Sequence, residues 1–290
     1  METSLLQAFI TVAETGSFSF AAEQLELTQP AVSKRISVLE KSLNTRLFDR
    51  IGKNIGLTEA GELLLPRAKR ILGDVRETET VVHNLSNKVT GELAIATSHH
   101  IGLHRLPPLL KKFTHQYREV ALNISFLGSE VAREQVLQGN IELAVITLAE
   151  EETARIQSRV IWNDPLYFVV SGDYPLADKN VVELSDFQSY PAILPDDETV
   201  TRGIINDLFD ERDCRLRVTM ATNYLETIKM MVSIGLGWSV LPESMIDKKV
   251  RKLHVRNVRL NRRLGYIYHE NRTLSNAAAA FIRILEQQAK

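Results

Sequence analysis

The sequence predicts an α/β multidomain protein: a small helical domain with a β wing, a long helix, and two α/β lobes. Three observations carry this. Helical periods dominate residues 1–58, an apolar stripe at 4-3 spacing runs from Leu64 to Leu85, and from Gly91 onward short apolar runs alternate with helical stretches. A length of 290 residues suits about two folded domains, and 44% hydrophobic with 24% charged residues is ordinary globular composition. Disorder, collagen and disulfide scaffolds are excluded.

In the first region, Leu5, Phe9, Val12 and Ala13 share one helix face, followed by Ala21, Ala22 and Leu25, then Val32, Ile36, Leu39 and Leu43. Ser17 is placed to cap the second helix, whose alanines allow close packing. A four-residue turn follows, and Thr28 caps the third helix with Pro30 in its first turn, where a missing N–H costs nothing. This is helix-turn-helix grammar. With the apolar side of the third helix turned inward, its opposite side carries Pro30, Lys34, Ser37 and Lys41, flanked by Gln29, Ser33 and Arg35. Gln pairs with adenine edges, Lys and Arg with guanine N7 and O6, and hydroxyls with phosphates or bases. Charge agrees with that placement. The chain has a net charge of only −1, yet residues 34–53 hold six bases against two acids. Beyond the helix, Arg46, Arg50 and Lys53 lie in a segment whose Gly52 and Gly56 suit a tight hairpin, read as a β wing over the DNA backbone.

Thr58 is placed to cap a long helix whose Leu64, Ala68, Ile71, Val75, Thr78, Val82 and Leu85 form the a/d seam of a coiled coil, or else a stripe packed on the chain's own domains. Pro66 should bend its first turns. From Gly91, strands at 92–98, 121–127 and 141–146 separated by helices read as βαβ units. A second set follows: strands at 166–172, 191–194, 215–220 and 236–242, with helices near 200–211 and 223–234. A strand at 263–270 and a helix at 275–288 complete the chain. Gly235 and Gly237 read as a helix stop followed by close packing.

The run from "AFITVAETGSFSFAAEQL" through "TQPAVSKRISVLEKSLNTRLFDR" to "LTEAGELLLPRAKRIL" resembles the LysR-type transcriptional regulators. Asn44 replaces the glycine usual there after the recognition helix, but asparagine tolerates the left-handed position. The resemblance implies a winged helix-turn-helix at 1–58, a linker helix for dimerisation at 59–88, and an effector-binding domain at 89–290. That last domain would resemble type 2 periplasmic binding proteins, with lobe I at about 91–161 and 267–290 and lobe II at about 162–266. It also implies double-stranded DNA, a small-molecule effector and a second copy of the chain as partners, as dimers or tetramers. RNA polymerase is a further candidate partner.

Strand-to-helix corners supply the expected effector residues, because ligands in open α/β sheets sit there, beside helix N-termini that suit anions. These are Thr97, Ser98, His99 and His100 after the first strand, Gly128 and Ser129 after the second, and Thr147 after the third. Thr199, Thr201 and Arg202 open one helix of the second lobe and Asn223 another, with Arg202 as the expected carboxylate partner. His100 and His104 are four apart, but no carboxylate at ligand spacing accompanies them, so no metal and no cofactor is expected. Motifs of hydrolases, phosphate-binding loops and metalloproteases are absent, against an enzyme. A solute-receptor module is disfavoured by the basic helix face and by a start with Glu2 and Glu14 and no basic region, which does not read as a signal peptide. The lone cysteine, Cys214, fits a reducing compartment, and no apolar run is long enough to span a membrane, so the expected location is cytoplasmic.

Overall fold

The computed structural model describes residues 2–51, 54–86, 88–149 and 153–289. It divides into two compact units, Met1–Ser86 with Gln138–Asn140, and Asn87–Leu137 with Ile141–Lys290.

The first unit opens with α1 (Thr3–Thr15), α2 (Phe18–Gln24) and α3 (Gln29–Leu43). Ser17 accepts a hydrogen bond from the Phe20 amide and Thr28 one from the Ala31 amide, so both caps act as expected. Asn44 closes α3 in the left-handed region at φ 50°. Strands β1 (Phe48–Ile51) and β2 (Asn54–Leu57) form an antiparallel wing with Ile51 opposite Asn54. Gly56 sits in the ladder opposite Asp49 and takes no part in the turn, while Gly52 and Lys53 lie outside the described residues. Next comes α4 (Glu59–Asn84), which continues through Pro66 and is capped by Thr58, whose hydroxyl accepts from the Gly61 amide and donates to the Arg46 carbonyl. Gly61 is required here: a Cβ would meet the Leu47 carbonyl oxygen at 2.3 Å.

Phe9, Val12, Ala21, Val32, Ile36, Leu39 and Leu47 build this unit's core, and α4 adds Ala68 and Leu72 with Leu64 packed at the edge. Two expectations are corrected. Leu64 and Ala68 belong to this core rather than to a pairing seam, because the first turns of α4 lie against α1 and the wing. Leu43, in the last turn of α3, is 39% exposed instead of core-facing. Farther along α4, Ile71, Val75 and Val82 are exposed, and so is Leu85 just past its end, by 79%.

The second unit begins with β3 (Gly91–Thr97), α5 (His99–His104), α6 (Pro107–Gln116), β4 (Val120–Phe126), α7 (Ser129–Leu137) and β5 (Leu143–Thr147). Strand β3 pairs in parallel with β4 on one side and β5 on the other, as the βαβ reading requires. There follow β6 (Ile156–Val170), β7 (Ala192–Leu194), α8 (Val200–Asp210), β8 (Val218–Ala221), α9 (Leu225–Ser233), β9 (Ser239–Pro242), β10 (Arg251–Lys252), β11 (Leu260–His269) and α10 (Asn276–Glu286). No described helix is long and apolar enough to cross a membrane.

Strand β11 pairs antiparallel with β6 along its own whole length, from Leu260 opposite Leu166 to His269 opposite Ile156. At one end β11 pairs β5, and at the other β6 pairs β9 and β10. The two strands therefore run through both lobes. The lobe I core gathers Leu93, Ile95, Ile101, Phe113, Val145, Leu264 and Phe281, and lobe II packs Phe168, Phe187, Phe209 and Trp238 ring against ring. Leu264 and Tyr266 pack in the lobe I core while Leu260 packs against lobe II, so on β11 the lobes change near Arg262 and not after residue 266. The expected strand 166–172 in fact starts ten residues earlier, at Ile156. Its Asn163, Asp164 and Pro165 hide the strand, because they lie where it passes from one core to the other and needs no apolar alternation. In lobe II, Gly237 packs as expected: a Cβ there would meet the Pro191 carbonyl oxygen at 2.5 Å.

Candidate functional site

On α3, burial of Val32, Ile36 and Leu39 turns Thr28, Gln29, Pro30, Lys34 and Ser37 to solvent, with Ser33 and Arg35 half-buried beside them. Arg46 is exposed at the start of the wing, and Arg50 lies on β1 opposite Ile55. Among the described residues Lys34, Arg35 and Arg46 make no ion pair, so their charges remain available to phosphates. The acid on the same helix is withdrawn: Glu40 accepts hydrogen bonds from the Leu47 and Phe48 amides at 2.7 and 3.4 Å. That role was not visible in the sequence. It joins α3 to the wing and commits the Glu40 carboxylate to backbone amides.

In the second unit a cavity of about 660 Å³ opens between the lobes. Its walls include Ser98, His99, His100, Gly128, Ser129, Thr147, Thr199, Thr201 and Asn223, all expected from the sequence. Ser98 occupies the N-cap position of α5 but makes no cap hydrogen bond, which leaves its hydroxyl uncommitted. Ser129 accepts from the Thr147 amide at 3.1 Å, and its own proton can point to a ligand. Thr199 is spent on its helix, accepting from the Arg202 amide and donating to the Asp196 carbonyl. Asn223 accepts from the Asp196 amide and joins two loops of the rim.

Two expected residues are corrected. Thr97 is fully buried behind the wall, where it donates to the Val145 carbonyl at 2.9 Å as a sheet tie. Arg202 turns away and is consumed by Asn206, the Pro195 carbonyl and Asp197. The cationic place on the wall belongs instead to Arg262, which the sequence did not mark because it sits in a strand far from any corner. Arg262 is 5% exposed; its Nε donates to Asp164 at 2.8 Å and its Nη1 to Thr201 at 3.1 Å. Its Nη2 is buried with no partner. Asp164 also accepts from Arg105 at 2.9 Å, so two guanidiniums share one carboxylate and a net positive charge remains at the cavity floor. Burial pushes the Arg262 pKa down, against the pull of Asp164, which marks a charge lacking part of its solvation.

The rim carries signals of other kinds. His99 lies edge-on to Phe126 and to Tyr224, at 5.8 and 5.4 Å between ring centres, an aromatic collar drawn from both lobes. Glu130 accepts from the Val200 amide at the N-terminus of α8, so a carboxylate of the chain itself spans the lobes there. Asp196 and Glu198 add acidity at the same edge. His100 is held neutral, its pKa pushed down to about 3 by burial first and then by Arg262.

Two family models match the chain: "Bacterial regulatory helix-turn-helix protein, lysR family" over residues 3–62, and "LysR substrate binding domain" over residues 86–290. A probable RuBisCO transcriptional regulator of Synechocystis sp. is 32% identical over 290 residues, spanning 96% of this chain and 84% of its own. An uncharacterized HTH-type transcriptional regulator in the ibpB-leuC intergenic region of Azotobacter vinelandii is 62% identical over 108 residues, 37% of this chain and 75% of its own. Among solved structures, the LysR family transcriptional regulator CbnR aligns over 100% of both chains with a TM-score of 0.70 at 21% identity, a likeness of fold.

Proposed function

This chain belongs to the LysR family of bacterial transcriptional regulators, and from that premise we propose that a small carboxylic acid bearing hydroxyl or amino groups controls its binding to DNA. The observation that carries this is Arg262, which lines a 660 Å³ cavity with its guanidinium only partly paired, Nη2 being buried without a partner. A carboxylate there would accept a charge-assisted hydrogen bond and complete the solvation of the guanidinium. Ser98 and Ser129 supply hydroxyls nearby. The acids Glu130, Asp196 and Glu198 at the rim disfavour a second negative charge and favour ligand donors. The ligand acts by preferring one arrangement of the lobes, since equal affinity for both would shift nothing. No turnover belongs to this reading, and a DNA partner puts its work in the cytoplasm.

The test is calorimetry of the full chain against a panel of hydroxy- and amino-carboxylates. A ligand of micromolar affinity should weaken by about 10- to 100-fold in Arg262→Lys, the value of one hydrogen bond to a charged group, and less in Ser98→Ala. Equal affinity in both variants and wild type would overturn the site.

The exposed half of α4 supports pairing of two copies, presenting two recognition helices to major-groove faces about 34 Å apart or a multiple of it. Ile71→Glu with Val75→Glu would set like charges across that seam, and sedimentation should then show a lower assembly state. Unchanged assembly and an unchanged double half-site in footprinting would remove the seam.

A further inference from the structure

The sequence offers no carboxylate near His100 and His104, but the fold brings one from 122 residues away. Glu226, in the first turn of α9, reaches His104 on α5 with Oε1 at 3.0 Å from Nε2. The two imidazoles lie 4.8 Å apart, tilted by 39°, neighbours as i,i+4 residues on one helix face should be. One ligand atom each from His100, His104 and Glu226 lies within 4.8 Å of the others. Among the described residues this is the one His/Cys/Asp/Glu group so gathered. We propose that His100, His104 and Glu226 form a binding site for one divalent transition-metal ion, of the zinc, nickel or cobalt class, that joins lobe I to lobe II.

Unsatisfied polar atoms carry the argument. Both ring nitrogens of His100 are buried without a partner, and so is Oε2 of Glu226. Buried polar atoms are nearly always paired, so a His100 ring nitrogen and Glu226 Oε2 left open in one cluster mark something they are built to meet. Their chemistry is specific: imidazole nitrogen and carboxylate oxygen suit zinc and its neighbours, whereas magnesium and calcium take oxygen sets. Two histidines and one glutamate are a known three-ligand set for zinc, with a fourth position left open. Four-coordinate ligands at about 2.1 Å from zinc stand roughly 3.4 Å apart, a contraction that side-chain rotation on two short helices can supply.

Electrostatics set a limit on the site. Arg262 and Arg105 oppose a cation near His100, and Asp164 and Glu226 offset them one for one. The ion would therefore bring an uncompensated charge, which an anion at its open position could balance. His100 also lines the cavity of the proposed effector, so that position can face the cavity. The ion site does not depend on the effector reading, because its test uses metal alone.

The experiment is titration of the full chain, stripped with a chelator, with Zn²⁺, Ni²⁺, Co²⁺ and Mg²⁺ in the absence of any organic ligand. Affinity is read by calorimetry and by competition with a chromophoric chelator, and coordination by the visible spectrum of the Co²⁺ form. Expected are about one Zn²⁺ per chain at submicromolar Kd, a Co²⁺ spectrum of low coordination number, and no Mg²⁺ binding. Glu226→Gln and His104→Gln are partly exposed and near-isosteric, so both should fold. Because outer-shell partners of metal ligands are already worth 10- to 100-fold, each variant should lose at least about 100-fold in Zn²⁺ affinity. Wild type that binds no ion saturably would overturn the proposal, as would either variant binding with unchanged affinity. Equal losses of thermal midpoint in both variants without metal binding to wild type would show a lobe-to-lobe ion pair only.

Discussion

The recognition face of α3 and the wall of the cleft pose the same chemical question, which side chains are left free to meet a partner, and the chain answers it in two different ways. On α3 one apolar stripe, Val32, Ile36 and Leu39, decides the exposure of every polar residue on the helix. In the cleft, two arginines with equal claims end differently. Arg202 stands beside a helix start with Thr199 and Thr201 and is exhausted by Asn206, Asp197 and a carbonyl. Arg262 stands in a strand, lines the cavity and keeps one buried nitrogen without a partner. A helix face is decided by a period within fifteen residues, whereas the partners that fix Arg262, Thr201 and Asp164, lie 61 and 98 residues off.

Asp164→Ala should show the largest effect of this contrast, because it leaves Arg262 and part of Arg105 buried without a carboxylate. Breaking such a pair from one side costs about 3–5 kcal/mol, to be read as loss of unfolding free energy in urea. Adding Arg262→Leu to Asp164→Ala should recover part of that loss. Strict additivity of the two changes would show that the network is not coupled and would dissolve the contrast. Gln29→Ala should act more weakly and more narrowly, relaxing preference at one base pair by roughly 1–3 kcal/mol if its contact is bidentate. Operator variants measured by anisotropy would show this, and a uniform loss across all sequences would assign Gln29 to the backbone instead. Smallest is Lys34→Ala, expected to reduce the slope of log affinity against log salt by about 0.9 with base preference unchanged. Gln29→Ala and Lys34→Ala should add within about 0.5 kcal/mol, as independent sites do.

Within α4 the same lesson recurs along one continuous stripe. The 4-3 spacing was legible, yet Leu64 and Ala68 meet the chain's own core while Val82 and Leu85 stay exposed. Period establishes that a stripe will be covered, and it is silent on what covers it. The strand β6 was legible only from Leu166, where a single core makes its residues apolar. Upstream it spans the crossing between cores, so its polar Asn163 and Asp164 with Pro165 resemble a loop.

By itself the sequence determined the helices and their caps, the basic face, the order of strands and helices, and the corners where hydroxyls line the cleft. All of these rest on backbone geometry and hydrophobic period, which act over a few residues. Only the tertiary structure decided that Arg262 and not Arg202 faces the cavity, that Thr97 is a sheet tie, that Glu40 serves the wing, and that Glu226 meets His104 beside His100. Those outcomes are set by desolvation and by charge pairing, which act through space and leave no period in the chain.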